Sequence, residues 1–438
     1  MLSRMILAAA LAALSAPAAL AADPAPGVRS GFIDAPLRIH TGPGAMTWTE
    51  VRRHVHEGNP TTRLVASEIA VATAETVDAD RYPNPDLAVA LEEGGIGGPL
   101  YKPSVAKVSI AQTILTGGKR TRALAAARRG VQVAEAALDA QEAGAVAEVA
   151  RAYVDVLRHK YLQGLAERAL EVASWDRELT GMRIRGGDLG DGAMHRMDLA
   201  VALAEARVER TGGALSEALM ALPLAWNGEP GEVRDLAGVL PLPALPPDLE
   251  DLLDAAAQAP VVGLAARRID RAEAEGDIAR AARAPDVTVE AGYITTNGLG
   301  EHGWLLGVSL PLPTFDRNQG DIARAAAQLR RSRLERRSVL AEVRGKVLRF
   351  HARLTSLHRE WTRLQGSVLP ASRQVWRTVH DAFAGGELTL LDVAASGTEL
   401  LALQEREIAL RVEHALTRVA LDEALGRIPE FLDAEVTP

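Results

Sequence analysis

Val108-Ser109-Ile110 and Val308-Ser309-Leu310 lie 200 residues apart, each closing a short alternating run and each followed by a long helical pattern. Gly186-Gly187-Asp188-Leu189 interrupts the first helical pattern and Gly385-Gly386-Glu387-Leu388 the second, at an offset of 199. Two distant landmarks that share a spacing indicate two homologous halves, at 22–222 and 248–426. A proline-rich linker at 223–247 joins them, and 427–438 forms a tail. Each half is expected to hold a helix, two strands and a long helical hairpin. The first has strands near 86–92 and 104–112 and a turn near 186–191; the second has strands near 286–295 and 303–312 and a turn near 385–388.

The helical parts are regular. Leu340, Val343, Val347, Phe350, Leu354, Leu357, Trp361, Leu364 and Val368 follow a 3-4 spacing that Ala371 and Val375 continue, which is the pattern of a supercoiling seam. Val131, Ala134, Leu138, Ala145, Val149, Ala152 and Val156 repeat it with smaller residues that permit closer approach. Each arm, from Gly117 to Gly186 and from Asp316 to Gly385, is long enough to reach about 100 Å as a helix. Pro370 removes a backbone donor inside the second arm and is expected to bend or break it. Aromatics make up only 4% of the chain, as suits alanine-rich packed helices better than a bulky globular core.

The strand candidates alternate with period two. Leu87, Val89 and Leu91, then Ala106, Val108 and Ile110, lie on one face, with Lys107 and Ser109 on the other. In the second half Val287, Val289, Ala291 and Tyr293 oppose Thr288 and Glu290, while Trp304, Leu306, Val308 and Leu310 oppose Gly307 and Ser309. Such strands suit a barrel wall with lipid outside and water within. Gly94–Gly98 and Asn297–Gly300 would be exposed loops, with Tyr101 and Trp304 at an interfacial girdle. Four strands cannot close a barrel in hydrocarbon without unpaired edge amides. Three copies would pool twelve, within the range of such barrels.

Arg4, the apolar run Ile6–Leu14 and the small residues ending at Ala21 read as a cleavable export signal at 1–21. Its removal takes the formal charge from -8 to -9, which gives no reason to expect nucleic-acid binding. With no cysteine anywhere, neither a disulfide framework nor a lipid anchor on a leading Cys is available. No apolar run after the signal is long enough for a transmembrane helix, so periplasm or outer membrane is the expected location.

Met46–Glu50 with Gly58-Asn59-Pro60, Gln112-Thr113-Ile114 with Gly117–Arg120, and above all Pro311–Gly320 carry a further signal. In these segments the chain resembles the TolC-like outer-membrane efflux family, and within it the heavy-metal branch typified by CzcC and CusC. The resemblance covers nearly the whole mature chain. It implies a mainly α chain with membrane β: a homotrimer whose twelve-stranded β-barrel, four strands from each copy, stands in outer-membrane lipid. A long α-helical coiled-coil barrel continues it into the periplasm and docks on a periplasmic adaptor and an inner-membrane RND-type pump. Such a duct conducts substrate passively, heavy-metal cations in this branch, with no enzymatic activity and no cofactor. Many relatives of the branch carry an N-terminal lipidated cysteine, and this chain departs from them there.

The resemblance makes Arg185, Gly186, Gly187, Asp188 and Leu189, with Gly385, Gly386, Glu387 and Leu388, the tips that meet the partner; their glycines alone require only a hairpin. Arg377 and Asp381 lie one helical turn apart and are candidates for a gate that holds the tip shut. An exposed pair of this kind contributes under about 1 kcal/mol. Asp188, Asp191 and Asp198 would form acidic rings in three copies, against the plainer reading of ordinary helix-end solvation. Met182, Met194, His195 and Met197 offer soft ligands for cuprous or silver ions, against the plainer reading of hairpin packing. His54 and His56 point apart on a helix, and His351 and His358 read as solvated. No hydrolase triad, zinc-protease helix or phosphate loop is present. The rival classes are a soluble periplasmic coiled-coil scaffold or pump adaptor, which needs no lipid-compatible strands, and, within the family, a duct for drugs or secreted proteins.

Overall fold

The computed structural model describes residues 41–92, 105–296 and 301–433. The signal segment, the loops Gly94–Gly98 and Asn297–Gly300, Tyr101 and residues 434–438 lie outside the described residues. The first half runs α1 (Trp48–Gly58), α2 (Pro60–Ala79), β1 (Asp86–Glu92), β2 (Val105–Ile114), α3 (Lys119–Arg185) and α4 (Gly192–Ala221). The second runs α5 (Leu249–Ala257), α6 (Pro260–Ala281), β3 (Val287–Thr296), β4 (Glu301–Ser309), α7 (Gln319–Arg363), α8 (Leu369–Ala384) and α9 (Leu390–Leu425). The short helix before each pair of strands deepens the repeat. Asn59 caps α2, its side-chain oxygen accepting from Thr61 N and Thr62 N at 3.0 Å, and Pro60 and Pro260 both open helices where a missing N–H costs nothing.

The long helix α3 has 67 residues, about 100 Å at the standard rise. It is the central staff, packing against α2, α4, α6 and α9. Between Ala145 and Ala166 it is buried on several faces, and Ala145, Ala147, Ala150 and Ala166 let neighbours approach closely. Among the described residues no helix is long and apolar enough to cross a membrane.

The second arm differs from the regular seam in an instructive way. A single π turn, Leu364–Val368, separates α7 from α8 and delivers the chain to Pro370 in the first turn of α8. A π turn carries one residue more than an α turn, so the face that packs is displaced by one position. Leu364 is buried, but the next core residues are Leu369, Trp376 and Phe383. Val368 and Val375 are therefore exposed and Ala371 is too, against the extended 3-4 reading.

The segment 223–247 is a strap packed across the helices. Trp226, Val233, Leu236 and Leu240 are buried, and Met46 forms a parallel bridge to Leu236. Lys160, only 5% exposed, donates to Asp235 Oδ1 at 2.6 Å and to Leu236 O at 2.7 Å, so its charge is paired and a second proton is bonded to the strap backbone. Tyr153 donates to Ala237 O at 3.0 Å, and Arg411 donates to Leu240 O. His358 is half-buried with Nδ1 2.9 Å from Pro243 O, so the solvated reading fails for it: the strap supplies an acceptor that helix periodicity cannot reveal. Burial pushes the His414 imidazole below its ordinary pKa; its Nε2 donates to Ala244 O at 3.1 Å while Nδ1 has no partner, as suits a neutral ring.

Candidate functional site

The four strands form one antiparallel meander in the order β1-β2-β3-β4. The register is unbroken, so alternate residues keep strictly to opposite faces. On one face Leu87, Ile110, Ala291 and Leu306 stand in a row, and Val89, Val108, Tyr293 and Trp304 in the next. Among the described residues nothing covers this face: Leu306 is 83% and Trp304 84% exposed. Tyr293 meets Trp304 edge-on at 5.6 Å. A soluble protein does not leave such a continuous apolar surface to water.

The charges all lie on the other face. Asp86, Glu92, Lys107, Glu290 and Glu301 are the only Asp, Glu, Lys or Arg residues in the strands, and the register puts every one of them opposite to the apolar rows. Lys107 reaches Glu290 Oε1 at 2.7 Å, passing over Gly292, where a side chain would come within 2.8 Å of Ser109. Thr113 and Thr288 share a hydrogen bond at 3.2 Å on the same face. One face thus suits hydrocarbon and the other suits water.

At the far end of the helices the two hairpin tips have the same construction. Gly187 and Gly386 take φ of +83° and +84°, a left-handed conformation that side chains resist. Asp188 N donates back to Arg183 O at 3.0 Å and Glu387 N to Ala382 O at 2.9 Å, closing the helix ends in the same six-residue loop. Leu179, Met197, Phe383, Leu390 and Val393 form a shared core beneath both tips, and the Arg183 guanidinium lies 4.6 Å above the Phe383 ring. Below it, buried His380 stacks on Trp376 and Trp175 and contacts Asp176 Oδ1 at 3.0 Å. Sequence reasoning missed this tie between the halves, although Trp376 and His380 at i,i+4 were a visible hint.

The tip residues Arg185, Gly186, Gly187, Asp188, Gly385, Gly386 and Glu387 are exposed, and Leu189 and Leu388 half-buried. Asp198 pairs with Arg177 across the α3/α4 hairpin at 2.6 Å. Asp191 is exposed, and its carbonyl accepts from Met194 N at 3.0 Å. Arg377 is half-buried on α8 and Asp381 exposed one turn on. Among the soft-ligand candidates Met182 and Met197 belong to the tip core, Met194 packs on Gly181, and His195 is exposed, so the methionines serve in hairpin packing. Among the described residues no group of three or more His, Cys, Asp or Glu could hold a metal ion.

Residues 252–427 match the family described as outer membrane efflux protein. The chain is 24% identical over 362 residues to the cobalt-zinc-cadmium resistance protein CzcC of Cupriavidus metallidurans, covering 83% of this chain and 85% of that one. It is 25% identical over 300 residues to the nickel-cobalt-cadmium resistance protein NccC of Alcaligenes xylosoxydans xylosoxydans, covering 65% and 67%. Among solved structures, CusC superposes with a TM-score of 0.72 at 18% identity, covering 93% of this chain and 99% of that one. VceC of Vibrio cholerae superposes with a TM-score of 0.68 at 19% identity, covering 87% and 96%. These two likenesses concern the fold.

Proposed function

We propose, from the match of residues 252–427 to the outer membrane efflux protein family and from the shared fold, that the chain is the passive exit duct of a tripartite pump for heavy-metal cations. The observation that carries the reading is the sheet: four strands, one face wholly uncharged and uncovered, the other bearing every charge. Three copies supply the twelve strands that close such a wall. The helices, about 100 Å long, carry the duct across the periplasm.

The cargo class is supported from two sides. CzcC and NccC, the relatives matched by sequence, are named as metal resistance proteins. Four carboxylates against one ammonium on the inner face leave three negative charges per chain, a lumen that concentrates cations. Selection and energy come from an inner-membrane RND-type pump, and the chain needs no resident metal site of its own. The tips, Arg185 to Leu189 and Gly385 to Leu388, receive a periplasmic adaptor. Arg377 and Asp381, with Asp191 and Asp198 near the same end, regulate the aperture.

The test is deletion in the native host followed by growth on cobalt, zinc, cadmium, copper and silver salts, with complementation by the full chain. Lost tolerance to one or more of these, restored by the intact gene, is expected. Unchanged metal tolerance with new sensitivity to detergents or drugs would move the reading to a duct for organic cargo.

A further inference from the structure

Beneath the tips one buried histidine is held between two groups that can only accept. His380 on α8 is wholly buried. Its Nδ1 lies 2.8 Å from Trp376 O and its Nε2 3.0 Å from Asp176 Oδ1 on α3. Neither a carbonyl oxygen nor an ionised carboxylate has a proton to give. A neutral imidazole carries one N–H and would set a lone pair against one of these oxygens; both contacts are satisfied when the ring carries two protons. The surroundings suit that charge. The ring packs on Trp376, at 3.6 Å between centroids, and on Trp175, at 5.6 Å, and indole faces attract cations. Burial opposes a lone charge, but with Asp176 the pair is neutral.

The contact belongs to one half only. At the offset of 199 that relates the two tips, Gly181 stands in the place of His380 and Arg177 in the place of Trp376. The first hairpin is closed on itself at this level, by Arg177 with Asp198 of α4 at 2.6 Å. The second hairpin has Trp376 there with Gly397 of α9, where a side chain would come within 4.0 Å of Trp376 Nε1. No ion pair closes it at these two positions, and α8 reaches across to α3 instead. Next to the contact the hairpins meet through small side chains: Ala173, Ala204, Ala394 and Gly397 line a cavity of about 360 Å³ that Trp376 and Asp176 border. With so little apolar bulk on that side, the polar contact carries a large share of the hold between the hairpins.

We propose that His380 stands as an imidazolium whose second proton ties the second hairpin to the first, so that removal of that proton by alkali releases α8 from α3 and widens the aperture. The tie stands on the geometry; the aperture step rests on the reading of the chain as a duct. His380 is a positioning residue, with the gate candidates Arg377 three residues before it and Asp381 one after on the same helix. Of the other charges on the packed elements, α3 brings Arg168 to the cavity wall and Arg183 to the Phe383 ring, α4 brings Asp198 and Arg207, the latter paired with Glu405 of α9, and α8 carries Arg373. Among the described residues Asp176 is the one charged side chain that hydrogen-bonds the ring. Without the proton, Nε2 and Oδ1 would oppose each other as two acceptors. The stabilisation is therefore present while the ring holds both protons and is lost as pH rises.

Asp176→Asn separates this tie from plain packing, because its amide can donate to a neutral ring and the contact then needs no second proton. The full-length protein in detergent is melted at pH 6 and pH 9.5, and its conductance is measured in planar lipid bilayers at the same two values. Between them the wild type should lose about 3 °C more than Asp176→Asn, and its conductance should rise roughly threefold while that of Asp176→Asn stays level. His380→Phe keeps a ring against the indoles but has no donor, and should conduct at the high level at both pH values. Equal pH dependence of melting in the wild type and Asp176→Asn overturns the tie. A melting difference as expected, with wild-type conductance level across the two pH values, overturns the aperture step. If neither the wild type nor any variant conducts, the reading as a duct fails, and the melting difference still decides the tie.

Discussion

Gly187 and Gly386 turn the chain where α3 and α8 end, each with a backbone that a Cβ strains by about 1–2 kcal/mol. Gly386→Ala is therefore expected to lower stability by that amount in thermal unfolding, while Gly190→Ala, in a turn with open space around it, should change it little. Asp422 gives a pH-dependent test. Burial raises its folded carboxyl from 3.8 to about 6, so the folded state binds this proton more tightly than the unfolded chain. That contribution is complete below about pH 4 and lost as pH rises through 6. Asp422→Asn should leave stability unchanged at pH 4 and raise it by on the order of 2 kcal/mol at pH 7.5; equal effects at both pH values would contradict this. The tip glycines were legible in sequence because turn chemistry is local. The buried His380–Asp176 contact was not, because its partners lie 204 residues apart, and the i,i+4 spacing of Trp376 and His380 hints at a local stack without naming the distant partner.

The strands were legible because an uncovered face with period two leaves a mark on every residue. That property predicts opposite outcomes at adjacent positions. Leu306→Lys places an ammonium on the apolar face, near mid-strand, and is expected to cost roughly 2–4 kcal/mol per chain and to abolish heat-resistant oligomers in membranes. Leu305→Lys, on the charged face opposite Gly292, should assemble normally; gel mobility of unheated membrane samples separates the two. The helices were legible only in part. The 3-4 spacing holds to Leu364 and then fails, since the extra residue of the π turn transfers burial from Val368 and Val375 to Leu369 and Trp376. Pro370 signalled an interruption, but the direction of the shift depends on which backbone bond is rearranged, and side-chain identity does not encode that.

At the scale of the whole molecule the duplication carries most of the information. It fixes two hairpins in one register, two equivalent tips and one central staff, and it leaves the sheet with edges that a single chain cannot satisfy. The strap at 223–247 escaped the sequence reading because proline-rich composition marks irregular backbone without saying what it packs on. Its buried leucines and its bonds to α3, α7 and α9 appear only when the halves are brought together. The central claim is that these four strands are one third of a membrane wall. Electron cryomicroscopy of the detergent-purified protein tests it most directly. The account predicts threefold particles in which a twelve-stranded barrel passes without interruption into a helical tube about 100 Å long. A single compact particle, stable in plain buffer and with the apolar face of the sheet folded against its own helices, would contradict it.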